Sequence, residues 1–372
     1  MLSSFRTSKL SGIFSFLKIF DHRKPILKHS DLISFQKSFN LKLKQYIETK
    51  ALDYNRLTNE YIPNQALEYS ISMINGKGKR IRPYLCFLAY STEGGLNYDY
   101  VFNTGVGLEI FHAFALIHDD IIDGAMERHG MMTVHEYVKT IITNKNKNKM
   151  AESIALLVGD LLFSWANEII GKTANTKVQN IYYKMNEETV AGQMIDVALM
   201  LQPKVNSKTL FRKNELKTAR YSFVNPMLIG ATLANPVSPH EEFYTKLGLL
   251  LGQAFQIQDD LLDIVGDPKV TGKSTMLDIQ DGQHTLITQY VLEHGNPRDQ
   301  EILTSLFGKH VDEASHKVLT RLFSTSGAVV NANREVSKLI SESIALIGTS
   351  DLKQTDKDKW IEFITLLNNR KS

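Results

Sequence analysis

Cysteine is all but absent. Cys86 stands alone in 372 residues, which excludes an internal disulfide framework and suits a reducing compartment. Charge imbalance is also small: a formal net charge of +3 is too little to argue for a nucleic-acid partner or an anionic membrane surface. The basic residues are scattered, and the one run, "NKNKNK" at 144–149, reads as a solvated loop. No apolar run reaches the ~18 residues that a membrane span needs, so no span is expected. No stretch alternates polar and apolar residues up to a hairpin turn, which leaves strands few or absent. No period of ~20 to 50 residues repeats, which argues against a solenoid.

What is present is ordinary for a soluble globular protein, at 43% hydrophobic and 22% charged residues. The opening "MLSSFRTSKLSGIFSFLKIF" has Arg6, Lys9, Lys18, several serines and no acid. Residues 1–30 are therefore expected to be an N-terminal extension on a cytoplasmic protein. The alternative is a mitochondrial transit segment over residues 1–25, whose composition these residues share. Residues 31–372 are expected to form one helical domain. Segments such as "SIALLVGDLLFSWANEII" and "EFYTKLGLLLGQAFQIQDDLLDIV" carry apolar residues at helical spacing, several on more than one face. That pattern predicts an all-α bundle of about a dozen helices.

Two of those apolar segments carry acids. "LIHDDIID" at 116–123 and "QIQDDLLD" at 256–263 share one pattern: a polar residue, two aspartates, two aliphatics and a third aspartate. Carboxylates four apart on one helix repel, and burying them unpaired costs far more. One such stretch is weak, because most DDxxD sequences are solvated helix turns; two in core-like helices are harder to assign to surface charge. If both helices line one bundle, Asp119, Asp120 and Asp123 face Asp259, Asp260 and Asp263 across an apolar cavity. Six oxygen ligands without nearby cysteine favour Mg²⁺ over Zn²⁺. Mg²⁺ is commonly held together with substrate phosphates. Phosphate partners stand beside the acids in "GKGKRIRP", in Arg128, in "ELKTARYSF" with Lys217, and in "GDPKVTGKST" with Lys273. A diphosphate head with a hydrocarbon tail fits such a cavity.

Together these residues resemble the polyprenyl diphosphate synthase family, the all-α trans-prenyltransferases that condense isopentenyl diphosphate with an allylic diphosphate. The resemblance runs from about residue 75 to 290 and rests on "GKRIRP", "FHAFALIHDDIID", "VGD", "GQMID", "KTARYSF", "FQIQDDLLD" and "GDPKVTGKSTMLDIQDG". It implies one large helical bundle of the isoprenoid synthase type with a central apolar cavity, and a homodimer. It implies about three Mg²⁺ ions held by Asp119, Asp123 and Asp259. It places the allylic diphosphate with Arg128, Lys217, Thr218, Gln256 and Lys273, and isopentenyl diphosphate with Lys79, Arg82 and His112. The leaving diphosphate would be stabilised by metal and basic residues, the isopentenyl double bond would attack the allylic cation, and a proton would then be lost.

Three positions depart from the family pattern. His129 stands where a second arginine usually follows Arg128, Gln283 where a lysine usually stands in the final motif, and Lys77 where the first glycine before Lys79 is usual. His129 therefore leaves the isopentenyl diphosphate side with less fixed charge. Phe114 and Ala115, five and four residues before Asp119, stand where the resemblance puts the control of chain length. An aromatic there implies short products near C20, geranylgeranyl diphosphate first and farnesyl diphosphate next.

The departures keep three other readings in view: a terpene-synthase-like lyase, a partner subunit of a longer-chain synthase, and a di-iron carboxylate bundle. The last would use the ExxH pairs Glu109 with His112 and Glu313 with His316, and leaves all six aspartates unexplained. A P-loop reading of "GDPKVTGKS" fails on its spacing and on the lack of a preceding strand.

Overall fold

The computed structural model describes residues 32–76, 78–128, 130–202, 204–238, 240–266 and 275–368. The N-terminal extension, Lys77, His129 and Lys273 lie outside them. The described chain is helical almost throughout, as expected. The exception is a two-residue hairpin in which β1 (Glu127–Arg128) pairs antiparallel with β2 (Met131–Met132).

The N-terminal half stacks six helices. These are α1 (Leu32–Leu57), α2 (Tyr61–Ile74), α3 (Ile81–Thr92), α4 (Tyr98–Ile122), α5 (Val134–Ile141) and α6 (Lys147–Gly171). On α1, Phe35, Phe39, Leu43 and Ile47 are buried; their four-residue spacing makes a single apolar stripe. Helix α4 starts where the Asn97 side chain accepts a hydrogen bond from the Tyr100 backbone N–H, satisfying one of the free donors of a helix start. It packs most extensively on α6 and also on α3. By length and composition α4 and α6 would each suffice to cross a membrane, contrary to the reading of the sequence. About half of each apolar window is buried in the bundle, 56% and 44%, so core packing accounts for the apolar length.

The second half places α7 (Thr176–Met200) and α8 (Ser207–Asn214) before a π-helix over Glu215–Val224, which runs on into α9 (Asn225–Ala234) and is followed by α10 (Glu241–Val265). The π-helix lies between α7 and α10. Two glycines allow that approach: a Cβ on Gly192 would stand 2.4 Å from the Lys217 backbone nitrogen, and one on Gly252 would stand 2.3 Å from the Ala219 Cβ. Helices α11 (Leu277–Gln280), α12 (Leu286–His294), α13 (Pro297–Leu306), α14 (Glu313–Thr325), α15 (Ala328–Thr349) and α16 (Gln354–Asn368) complete the chain. Of these, α15 covers α10.

Candidate active site

The first acid group ends α4. Asp119 is half-buried, and its carboxylate accepts from Gln193 Nε2 on α7 at 3.0 Å and faces Lys217 Nζ at 3.3 Å. Asp120 is turned into the protein, 1% exposed, where one oxygen takes both Nε and Nη2 of Arg128, at 2.7 and 2.6 Å. Arg128 also reaches Asp119 at 3.6 Å. The β1–β2 hairpin thus returns Arg128 onto the helix end that carries the acids. Asp123, the C-cap of α4, has its carboxyl pushed up to about 7 by burial and then by the charge of Asp119.

The second group ends α10. Asp259 is exposed, whereas Asp260 is 5% exposed and accepts from Gln256 Nε2 at 2.8 Å. Asp263 accepts the backbone N–H groups of Leu277 and Asp278 at 3.0 and 3.2 Å, and so holds the start of α11. Burial, then the charge of Asp278, pushes Asp260 up to about 7 and Asp263 up to about 8. The sequence grouped six aspartates around one cavity; the structure divides them. Helical spacing turns the middle acid of each group inward, Asp120 and Asp260, and Asp263 caps a neighbouring helix.

The π-helix joins the two groups. Lys217 reaches Asp119, while the next residue, Thr218, donates from Oγ1 to Gln256 Oε1 at 2.6 Å, and Gln256 in turn holds Asp260. π-helical turns are rare and recur at functional sites. Four and five residues on, Tyr221 and Ser222 accept from Arg82 Nη2 at 2.5 and 2.7 Å. The Arg82 guanidinium lies 4.3 Å from the Tyr221 ring centre, and its buried Nε has no hydrogen-bond partner. His112 Nδ1 meets the Tyr221 hydroxyl at 2.7 Å. Arg82 and His112, paired from sequence with isopentenyl diphosphate, are therefore brought together by a tyrosine that sequence reasoning passed over.

Arg80 holds the loop before Arg82. It has a left-handed backbone, φ 54°, and its side chain donates to Glu109 at 2.6 Å, to Asn40 at 2.8 Å and to the carbonyls of Ile74 and Gly76. The backbone carbonyl of Lys79 accepts from Gln36 at 2.7 Å. Glu109 is thus committed to Arg80 and His112 to Tyr221, while Glu313 pairs with Lys317 and His316 with Thr275. Among the described residues no three acid, imidazole or thiol groups converge at either ExxH pair, so the di-iron reading finds no support.

Lys213 and Asp278 were also missed as members of the site. Asp196 is 3% exposed and lies between Lys213 Nζ at 3.1 Å and Lys217 Nζ at 2.5 Å. Although burial pushes its pKa up, the two lysines hold its carboxyl below the usual range. Asp278 is pushed up to about 6 by burial, against the opposing charge of Lys213. The signals were present in the motifs: Tyr221 four residues beyond Lys217, and Asp278 within "MLDIQDG".

Phe114 is half-buried one turn above Asp119. Its ring packs on Phe163 of α6 at 4.9 Å, on Phe111 at 5.3 Å and edge-on to His118 at 4.7 Å. Ala115 beside it is also half-buried.

The acid groups fit a divalent cation. Asp120 Oδ2 and Asp123 Oδ1 are buried without a hydrogen-bond partner, and burial first, then the charge of neighbouring acids, raises the carboxyls of Asp123, Asp260 and Asp263. Among the described residues no three acid, imidazole or thiol groups converge into a ready-made metal site. Mg²⁺ is commonly held by one or two carboxylates together with substrate phosphates.

The comparisons with known proteins agree with this geometry. The Polyprenyl synthetase family model matches residues 63–324. Geranylgeranyl diphosphate synthase of Methanosarcina mazei is 32% identical over 252 residues, covering 66% of this chain and 72% of that protein. Octaprenyl diphosphate synthase of Escherichia coli is 25% identical over 273 residues, covering 72% and 80%. Among solved structures, geranylgeranyl pyrophosphate synthase of Corynebacterium glutamicum, complexed with isoprenyl diphosphate and magnesium, superposes with a TM-score of 0.83 at 25% identity, covering 89% of this chain and 98% of that one. With the family model matched over residues 63–324 and the whole bundle superposing on a solved synthase, the chain belongs to the polyprenyl synthetase family and is an isoprenyl diphosphate synthase, a trans-prenyltransferase.

Proposed function

We propose that this synthase makes geranylgeranyl diphosphate by adding isopentenyl diphosphate to an allylic diphosphate until the growing tail meets Phe114. Its relatives range from geranylgeranyl to octaprenyl diphosphate synthases, so the chain's own residues must carry the choice. The observation that carries it is the packing of Phe114 against Phe111, Phe163 and His118. Phe114 precedes Asp119 by five residues on one helix, roughly 7 Å along the axis. A tail running down α4 from the acids meets a ring braced on several sides, which is harder to displace than a lone side chain.

Asp119, Asp123 and Asp259 are the acids that would hold Mg²⁺ around the allylic diphosphate. Bound there, Mg²⁺ would polarise the diphosphate oxygens and stabilise the leaving group. Lys217 and Arg128, already at the acid end of α4, add fixed positive charge to the same head, with Thr218, Gln256 and Lys273 as further partners. Arg82, His112 and Lys79 would hold isopentenyl diphosphate, and the vacant Nε of Arg82 is a donor in waiting. Preorganised charge of this kind does not need to rearrange as the bond breaks.

Self-association of two chains is part of this reading. Leu157 on α6 and Met194 on α7 are 63% and 68% exposed, and Leu201 at the end of α7 is 85% exposed. The test of the length assignment is Phe114→Ala. It should shift products beyond C20 and leave the first condensation nearly as fast; an unchanged product profile would place the stop elsewhere.

A further inference from the structure

Gln283 leaves the final motif without the positive charge that usually stands there, yet the acids opposite are still crowded. Asp259, Asp260, Asp263 and Asp278 all lie on α10 and α11, and the cations described so far, Lys217 and Arg128, contact the Asp119 side. The structure brings one further lysine to the opposite side. Lys213, 6% exposed on the last turn of α8, donates from Nζ to the backbone carbonyl of His284 at 3.0 Å. His284 follows Gln283 directly in the chain, so this ammonium stands beside the backbone of the segment that lacks a lysine of its own. Its other partner is Asp196 Oδ1 at 3.1 Å, and the second oxygen of the same carboxylate holds Lys217.

We propose that Lys213 replaces the missing charge: it is a positioning residue that sets an ammonium on the carbonyl of His284, beside Gln283, and, through Asp196, fixes Lys217 against Asp119. A buried ammonium is costly to hold without such partners, and here a carboxylate and a carbonyl receive it. The cation therefore comes from the helix preceding the π-helix rather than from the loop after α11, and it reaches Asp119 through Asp196 and Lys217.

The inference rests on the isoprenyl diphosphate synthase assignment, so it is tested only on parent protein that condenses isopentenyl diphosphate; an inactive parent would challenge that assignment instead. A double-mutant cycle of Lys213→Met and Gln283→Lys is read as KM for the allylic diphosphate, as kcat and as the Mg²⁺ concentration giving half-maximal rate. Thermal melting of each variant is followed alongside. Lys213→Met should raise the allylic KM and the Mg²⁺ requirement by about tenfold, the scale of one lost charge at this range in a partly screened site. Adding Gln283→Lys to that variant should recover most of the loss, and should improve KM several-fold more than the same change made in the parent. Equal effects of Gln283→Lys in both backgrounds, or a folded Lys213→Met protein with parental KM and Mg²⁺ dependence, would overturn the proposal. If Lys213→Met does not fold, Lys213→Arg keeps the charge and should stay within about threefold of the parent in KM; a tenfold rise there would overturn it as well.

Discussion

Lys217 Nζ stands 3.3 Å from Asp119 and 2.5 Å from Asp196, so one ammonium is shared between an acid proposed to hold Mg²⁺ and an acid buried behind it. Burial alone would lower its pKa, but Asp119 and Asp196 drive it far above the usual lysine range. Lys217 is therefore charged at any working pH. The buried Asp196 also fixes where that charge points before a diphosphate arrives.

The two metal-facing acids should prove separable from the fold. Asp119→Asn and Asp259→Asn should each lower turnover on the order of 100-fold or more while the far-ultraviolet circular dichroism stays helical. Removing a carboxylate relieves repulsion, so melting temperatures should not fall. Turnover within a few-fold of the parent at saturating Mg²⁺ would refute the placement.

Stability without divalent cation should fall as pH rises. Asp278 is raised to about 6, Asp123 and Asp260 to about 7 and Asp263 to about 8, from 3.8 in each case. Between those limits the folded chain binds more protons than the unfolded chain. The contribution of these groups is thus complete below about pH 4 and lost as pH passes through 6 to 8. Melting in a chelator should show a decline across pH 5.5–8.5, and Mg²⁺ with inorganic diphosphate should flatten it. A melting temperature that climbs over this window in chelator would contradict the assigned burial.

Tyr221→Phe removes the hydroxyl shared by Arg82 and His112. The expected result is a KM for isopentenyl diphosphate raised several-fold with a nearly parental KM for the allylic substrate. A stability loss of about 1–3 kcal/mol should accompany it, since buried polar groups lose a partner. Equal changes in both KM values would place Tyr221 outside the isopentenyl side.

Glu109→Ala should be a folding mutation before it is a catalytic one. Arg80 and Glu109 have side chains only 4% and 7% exposed, and they meet at 2.6 Å. Removing one partner of such a pair costs about 3–5 kcal/mol because the other charge stays buried. Chemical denaturation gives the number; a loss below about 1 kcal/mol would mean that Arg80 finds another partner.

Much of this was legible in the residues. The two DDxxD stretches pointed to opposed acids because apolar flanks made a solvated face implausible, and the helical periodicity set the fold class. What was not legible depends on contacts between distant segments. Lys213 in "SKTLFRKN" has nothing local to distinguish it from a surface lysine; only Asp196, on another helix, and the carbonyl of His284 bury it. Glu109 and His112 have metal-ligand spacing on α4, and it took α3 and the π-helix to show that one holds Arg80 and the other Tyr221. The π-helix itself follows from no periodic signal. It rests on Gly192 and Gly252 allowing α7 and α10 to close on it.

The most direct measurement is the product profile of the purified full-length chain. The protein is incubated with labelled isopentenyl diphosphate, Mg²⁺ and dimethylallyl, geranyl or farnesyl diphosphate in turn, and the dephosphorylated products are separated by chain length. The account predicts condensation that depends on Mg²⁺ and stops at C20 with each starter that is accepted. Chains of C30 and beyond from the unmodified protein, or ionisation of the allylic substrate without incorporation of label, would contradict it.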